Sequence, residues 1–208
     1  MNRRLAVAAL LVSALLARPA AAPAASDLLA RMAALNPGLH AFTATMHAHV
    51  ALKTFPFLGA DLVGTVYHKE PGSTKVVFSG GVPAIAQQFD KLLAHIPGPS
   101  QWPDEYTITL LSDDGTTTAF KLDPRKAGNV DRVEAQVDDA TATIRSMKWI
   151  YANGGFAEMT NRYGTIDGNA LVTSQTGHVE EPGYTADITS TLDNYKINPS
   201  IPDDTFTQ

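Results

Sequence analysis

The chain has no cysteine, which excludes thiol catalysis, iron–sulfur clusters, Cys-type zinc sites and any disulfide staple. It is also poor in charge and aromatics, at 18% and 8% of residues. Acidic residues outnumber basic ones, 21 to 16. No strongly basic surface is therefore available for nucleic acid or for anionic lipid. Phosphate loops, dinucleotide fingerprints and G-x-S-x-G elbows are all missing. Only one long apolar run occurs, and it is too short and too alanine-rich to span a bilayer.

That run, residues 5–16, follows Arg3 and Arg4 and leads into Ala22-Pro23-Ala24, an A-x-A cleavage pattern. Residues 1–24 read as a secretory signal peptide, with ordinary export favoured because the residues after Arg3-Arg4 fit a twin-arginine signal poorly. With no cysteine to carry a lipid, the expected product is a single exported, unanchored periplasmic domain over residues 25–208. Loss of Arg3, Arg4 and Arg18 leaves 13 basic against 21 acidic residues, a net charge of about −8. A chain of this length buries a sizeable core without staples.

Residues 27–35 predict a short helix capped by Ser26 or Asp27, and Asn36-Pro37-Gly38 ends it. From 39 to 53 the period changes to two. Phe42, Ala44, Met46, Ala48, Val50 and Leu52 share one face; Thr43, Thr45, His47, His49 and Lys53 share the other. Further strands are expected at 60–69, 74–79, 106–112, 117–122, 130–137, 141–152, 156–163, 171–179 and 184–192, separated by turn signals such as Asp113-Asp114-Gly115 and Glu181-Pro182-Gly183. On 141–152, Arg145, Met147 and Trp149 are expected on one face. A second helix, 83–96, carries Ile85, Phe89 and Leu92 in its apolar stripe. The pattern is that of a mainly β chain with two or three short helices, its strands running in sequence as a meander. A sheet so large usually curls into an antiparallel barrel wall, and the helices can plug its concavity.

Chemistry-bearing residues are few. His47 and His49 lie on one strand face, but zinc needs further ligands, and His68, His178, Glu180 and Glu181 meet them only under a particular folding. The paired carboxylates Asp113-Asp114, Asp138-Asp139 and Asp203-Asp204 fall at turns or in the tail, where Asp serves the backbone. No catalytic residue, cofactor or resident metal is assigned. The apolar faces are the better lead. A flat sheet would expose a large apolar patch, so the concave side of a curled one is either packed core or a cavity for an apolar ligand.

The order Asp138-Asp139, Thr143-Ile144, Gly155-Phe156, Tyr163-Gly164 and Asp167-Gly168 closes on Leu192-Asp193-Asn194-Tyr195-Lys196-Ile197-Asn198-Pro199 and then Ile201-Pro202-Asp203 and Phe206. Near the start stand Gly64-Thr65-Val66-Tyr67, Lys69 and Pro71. This arrangement resembles the LolA-like group of periplasmic outer-membrane lipoprotein-sorting proteins. The resemblance implies a half-closed barrel whose apolar cavity shields lipoprotein acyl chains in transit, with inner-membrane donor and outer-membrane acceptor partners and no enzymatic step. Cavity residues implied on that basis are Phe42, Met46, Val50, Val66, Phe78, Phe120, Met147 and Trp149, with Ile85, Phe89 and Leu92 from the lid. Burying an acyl chain yields about 0.8 kcal/mol per CH₂, so such a pocket needs no catalytic group. The same fold also suits a sensory or protein-interaction module of the cell envelope. An exported hydrolase or metalloenzyme using His47 and His49 is a third reading.

Overall fold

A computed structural model describes residues 21–54, 58–80 and 97–206. Most of the expected signal peptide, and the expected helix 83–96 with Ile85, Phe89 and Leu92, lie outside the described residues. Helix α1 spans Ala21–Ala33 and the short α2 spans Trp102–Glu105. Ten strands accompany them among the described residues: β1 Ala41–Leu52, β2 Gly59–Lys69, β3 Ser73–Phe78, β4 Tyr106–Asp113, β5 Thr117–Pro124, β6 Val130–Asp138, β7 Ile144–Tyr151, β8 Phe156–Ile166, β9 Asn169–Glu181 and β10 Tyr184–Ile197. Ser26 and Asp27 are inside α1 and do not cap it. The alanines before them are strong helix formers and extend the helix backwards.

All ten strands form one sheet in the order β3-β2-β1-β10-β9-β8-β7-β6-β5-β4. The meander expected along the whole chain is in fact two, β1–β3 and β4–β10, joined where the first strand pairs antiparallel with the last. The consecutive strands β3 and β4 are thereby sent to opposite edges, and the sheet does not close. It does curl. Six strand spacings separate β3 from β7, roughly 29 Å if flat, yet Phe78 of β3 and Trp149 of β7 line one small cavity.

The tail motif explains how β10 reaches β1. Asn194 adopts a left-handed φ of 50° at a register shift between the two strands, a conformation Asn tolerates better than branched residues. Beyond this bulge the Tyr195 hydroxyl donates to the Val172 carbonyl, and its ring lies 5.5 Å from that of Phe42. Asn198, with φ 51°, then clamps the start of β1. Its Oδ1 accepts from the His40 and Ala41 amides at 2.8 and 3.2 Å, and its Nδ2 donates to the Gly38 carbonyl at 2.9 Å.

Two clusters divide the concave face. In one, Leu28 and Met32 of α1 and the fully buried Trp102 pack on Phe120, Leu122, Val133 and Val137. The other joins Met46, Val50, Leu62, Val66, Tyr151 and Val179 from both meanders. Helix α1 is held over its half by Arg31, whose guanidinium donates to the Asp139 carbonyl at 2.7 Å. The β6–β7 turn is itself organised by Asp138. Its carboxylate accepts from the Ala140 and Thr141 amides and from Arg145 Nη2 at 2.7 Å. Both aspartates of this pair are therefore structural: Asp138 builds the turn, and the Asp139 carboxylate accepts from the Thr118 hydroxyl of β5 at 2.6 Å.

Two outcomes follow for stability. Asn198→Ala removes three hydrogen bonds and should cost about 1–3 kcal/mol, read from urea unfolding; an unchanged midpoint would show that the clamp is idle. The Thr141 and Arg145 bonds hold the Asp138 carboxyl below its ordinary value of 3.8. A depressed carboxylate contributes stability above its unfolded pKa and loses it as the pH falls through the folded one. Asp138→Asn should accordingly lower the melting temperature at pH 7 and make the variant and wild-type curves converge below about pH 4.

Candidate functional site

Strand register sorts the concave side chains. Met46, Ala48 and Val50 of β1 face Leu192, Ser190 and Ile188 of β10. Ser190, Ile188 and Ala186 then face Gln175, Gly177 and Val179 of β9, and these face Asn161, Met159 and Ala157 of β8. Much of this surface is made of residues too short to fill the curl: Ala48, Ala157, Gly177 and Ser190. An apolar cavity of about 90 Å³ results, floored by those residues and walled by Met46, Val50, Phe78, Trp149, Tyr151 and Ile188.

A second hollow of about 280 Å³ lies alongside, lined among others by Phe42, Val66, His68, Val76, Tyr163 and Leu192. Met46, Met159 and Gln175 border both. At the second hollow's rim the His68 ring stacks on Phe42 at 4.8 Å and bonds Thr74 Oγ1 at 2.9 Å and Glu70 at 3.3 Å.

Three tyrosines on this side keep their protons. Burial pushes the phenols of Tyr151, Tyr163 and Tyr195 up to about 12, with the Glu181 carboxylate adding to the effect on Tyr151. As neutral phenols they serve as apolar walls with a polar tip rather than as bases.

Of the residues expected to form a cavity, Met46, Val50, Phe78 and Trp149 line the smaller hollow, and Phe42 and Val66 line the larger. Phe120 and Met147 are placed beneath α1, in filled core. Arg145 does not share the face of Met147 and Trp149. A register shift between Gln136 and Val137 pairs Ile144 with Val137, which turns Ile144 onto the α1 cluster and sends Arg145 to Asp138. Gln175, Gly177, Met159 and Ile188 were not anticipated. Period two marks Gly177 and Ile188 as belonging to strands, but only the pairing of β8, β9 and β10 brings them to one place.

The two histidines of β1 share the opposite, convex face. His49 Nδ1 is 2.7 Å from Asp61, and His47 Nε2 is 3.9 Å from Asp193. His68 points to the concave side, whereas His178 meets Asp187 at 2.6 Å on the convex one. Among the described residues no three His, Asp or Glu side chains converge as a metal site. No described helix is long and apolar enough to cross a membrane.

No protein-family model matches the chain, and no curated protein matches it in sequence. Solved structures do match. One described as an outer membrane lipoprotein-sorting protein domain, from Vibrio parahaemolyticus, is similar at a TM-score of 0.64 and 11% identity, covering 88% of this chain and 94% of that one. A DUF1329 family protein from Desulfovibrio piger gives 0.62 at 16% identity, over 88% and 96% of the two chains. A LolA superfamily protein from Nitrosomonas europaea gives 0.59 at 11% identity, over 88% and 97%. At such identities the likeness speaks to the fold: among the described residues, a ten-stranded, unclosed antiparallel sheet with two short helices, which is the LolA-like fold.

Proposed function

We propose that this chain is a non-enzymatic periplasmic carrier that holds the acyl chain of a lipoprotein or another lipid against the concave face of its sheet. The observation that carries the reading is the apolar cavity between β1–β3 and β7–β10, where small residues leave space that Phe78 and Trp149 wall off. Apolar burial alone supplies the affinity, at about 0.8 kcal/mol per CH₂. The signal-like N-terminus agrees with a shuttle working between two membranes, taking cargo from an inner-membrane donor to an outer-membrane acceptor.

The resting volume is modest. About 90 Å³ is below the roughly 150 Å³ that admits one benzene. An acyl chain therefore extends into the second hollow of about 280 Å³, past Met46 and Met159. Methionine is the apolar side chain that reshapes most readily.

The alternative is a sensory or protein-interaction module of the same fold. It draws on the α1-covered half, where Phe120, Leu122, Val133 and Val137 are buried in one packed cluster. That module would hold a stable protein partner in a crosslinking pull-down and carry no lipid.

Native mass spectrometry of the exported protein should show a bound lipid, and a fluorescent fatty-acid analogue should bind the stripped protein. Gly177 supplies the sharper test. A Cβ there meets Ile188 Cβ and the Glu158 carbonyl at 3.5 Å, ordinary contacts, so a larger side chain enters the cavity and not the backbone. Gly177→Leu should keep the melting temperature within a few degrees and weaken the analogue by about tenfold or more. A lipid-free wild type that binds no analogue would sink the carrier reading.

A further inference from the structure

One side chain in the cavity spends part of its hydrogen-bonding capacity on a poor acceptor. Ser190, Gln175 and Asn161 stand abreast on β10, β9 and β8, a polar row across an otherwise apolar surface. Asn161 is engaged at both ends: its Nδ2 donates to the Ile144 carbonyl at 3.1 Å, and its Oδ1 accepts from Gln175 Nε2 at 2.9 Å. The second contact of Gln175 Nε2 is the Met159 thioether, at 2.8 Å. Thioether sulfur is a weak acceptor. An amide proton placed on it gains little and is available to a better acceptor that enters the cavity.

The position is as telling as the chemistry. Gln175 borders both hollows together with Met46 and Met159. A ligand running from one hollow to the other has to pass it. Among the described residues lining the two spaces there is no Lys or Arg; the imidazole of His68 is already held by Thr74 and Glu70, and Glu70 and Glu158 are acidic. A ligand carboxylate at this point would lose its water with no cation to replace it. An uncharged carbonyl would lose far less and would accept the Gln175 proton.

We propose that Gln175 is the specificity-determining residue of this cavity. It selects acyl chains that carry an uncharged ester or amide carbonyl over chains that end in a carboxylate. The assignment rests on the carrier reading and adds to it the chemistry of the junction between tail and headgroup. Met159 gives up the amide as the carbonyl arrives, so a weak contact is exchanged for the ligand.

The test is competition against N-phenyl-1-naphthylamine on the full mature chain, using 1-monoolein and sodium oleate, which share one tail. Wild type should bind monoolein about tenfold more tightly than oleate, the size expected of one well-made hydrogen bond. Gln175→Met should erase most of that preference by weakening monoolein more than oleate, each read against the variant's own naphthylamine affinity. Gln175→Leu removes the donor from a side chain of similar size without adding charge, and should do the same if the Met variant folds poorly. Equal binding of the two lipids by wild type, or a preference that survives both substitutions, overturns the assignment alone. Displacement by neither lipid overturns the carrier reading and this assignment with it.

Discussion

The pairing of the first strand with the last is the constraint on which the rest of this molecule depends. Without the β1–β10 ladder the chain would be a three-stranded and a seven-stranded meander, each with an apolar face open to water. Joined, they form one sheet whose right-handed twist accumulates over ten strands and brings β3 round towards β7. The ladder ends in the Asn194 bulge and the Asn198 clamp. The most distinctive run of the sequence is thus a fastening for the sheet and not a binding motif. The same holds for Asp138 and Asp139, which set the β6–β7 turn and anchor α1.

Curling makes one concave face but does not decide how it is filled. Over β5–β7, the large side chains of Phe120, Leu122 and Val133 meet Leu28 and Met32 of α1, and the space closes. Over β8–β10 and β1 the inward residues Ala48, Ala157, Gly177 and Ser190 are short, and no described helix reaches them, so a hollow persists. Side-chain size, alternating along strands that are adjacent only in space, therefore separates a structural half from a receptive half. The polar row at Gln175 lies within the receptive half, where a filled core would exclude it or satisfy it completely.

Much of this was legible in the residues. Period-two alternation over β1 placed Met46, Val50, His47 and His49 on their observed faces, because a strand's side-chain period is independent of its partners. Turn signals at Asp113-Asp114-Gly115 and Glu181-Pro182-Gly183 bounded the strands to within a few residues. Where local rules failed, a local exception was responsible. The bulge at Arg145 reversed the faces of one strand end, and the alanines before Ser26 outweighed its capping tendency.

By itself the sequence determined the mainly β class, the strand count and the two-faced character of most strands, since these follow from periodicity and turn chemistry within short windows. It also excluded cysteine chemistry outright. Tertiary structure alone decided that β1 lies beside β10, that Phe120 and Met147 are core while Trp149 and Phe78 wall a cavity, and that Gln175 meets Met159 and Asn161. Strand order, and with it the identity of neighbours across a sheet, depends on pairings between residues more than a hundred positions apart. No local pattern encodes such a pairing; it is settled by which arrangement buries both apolar faces at once.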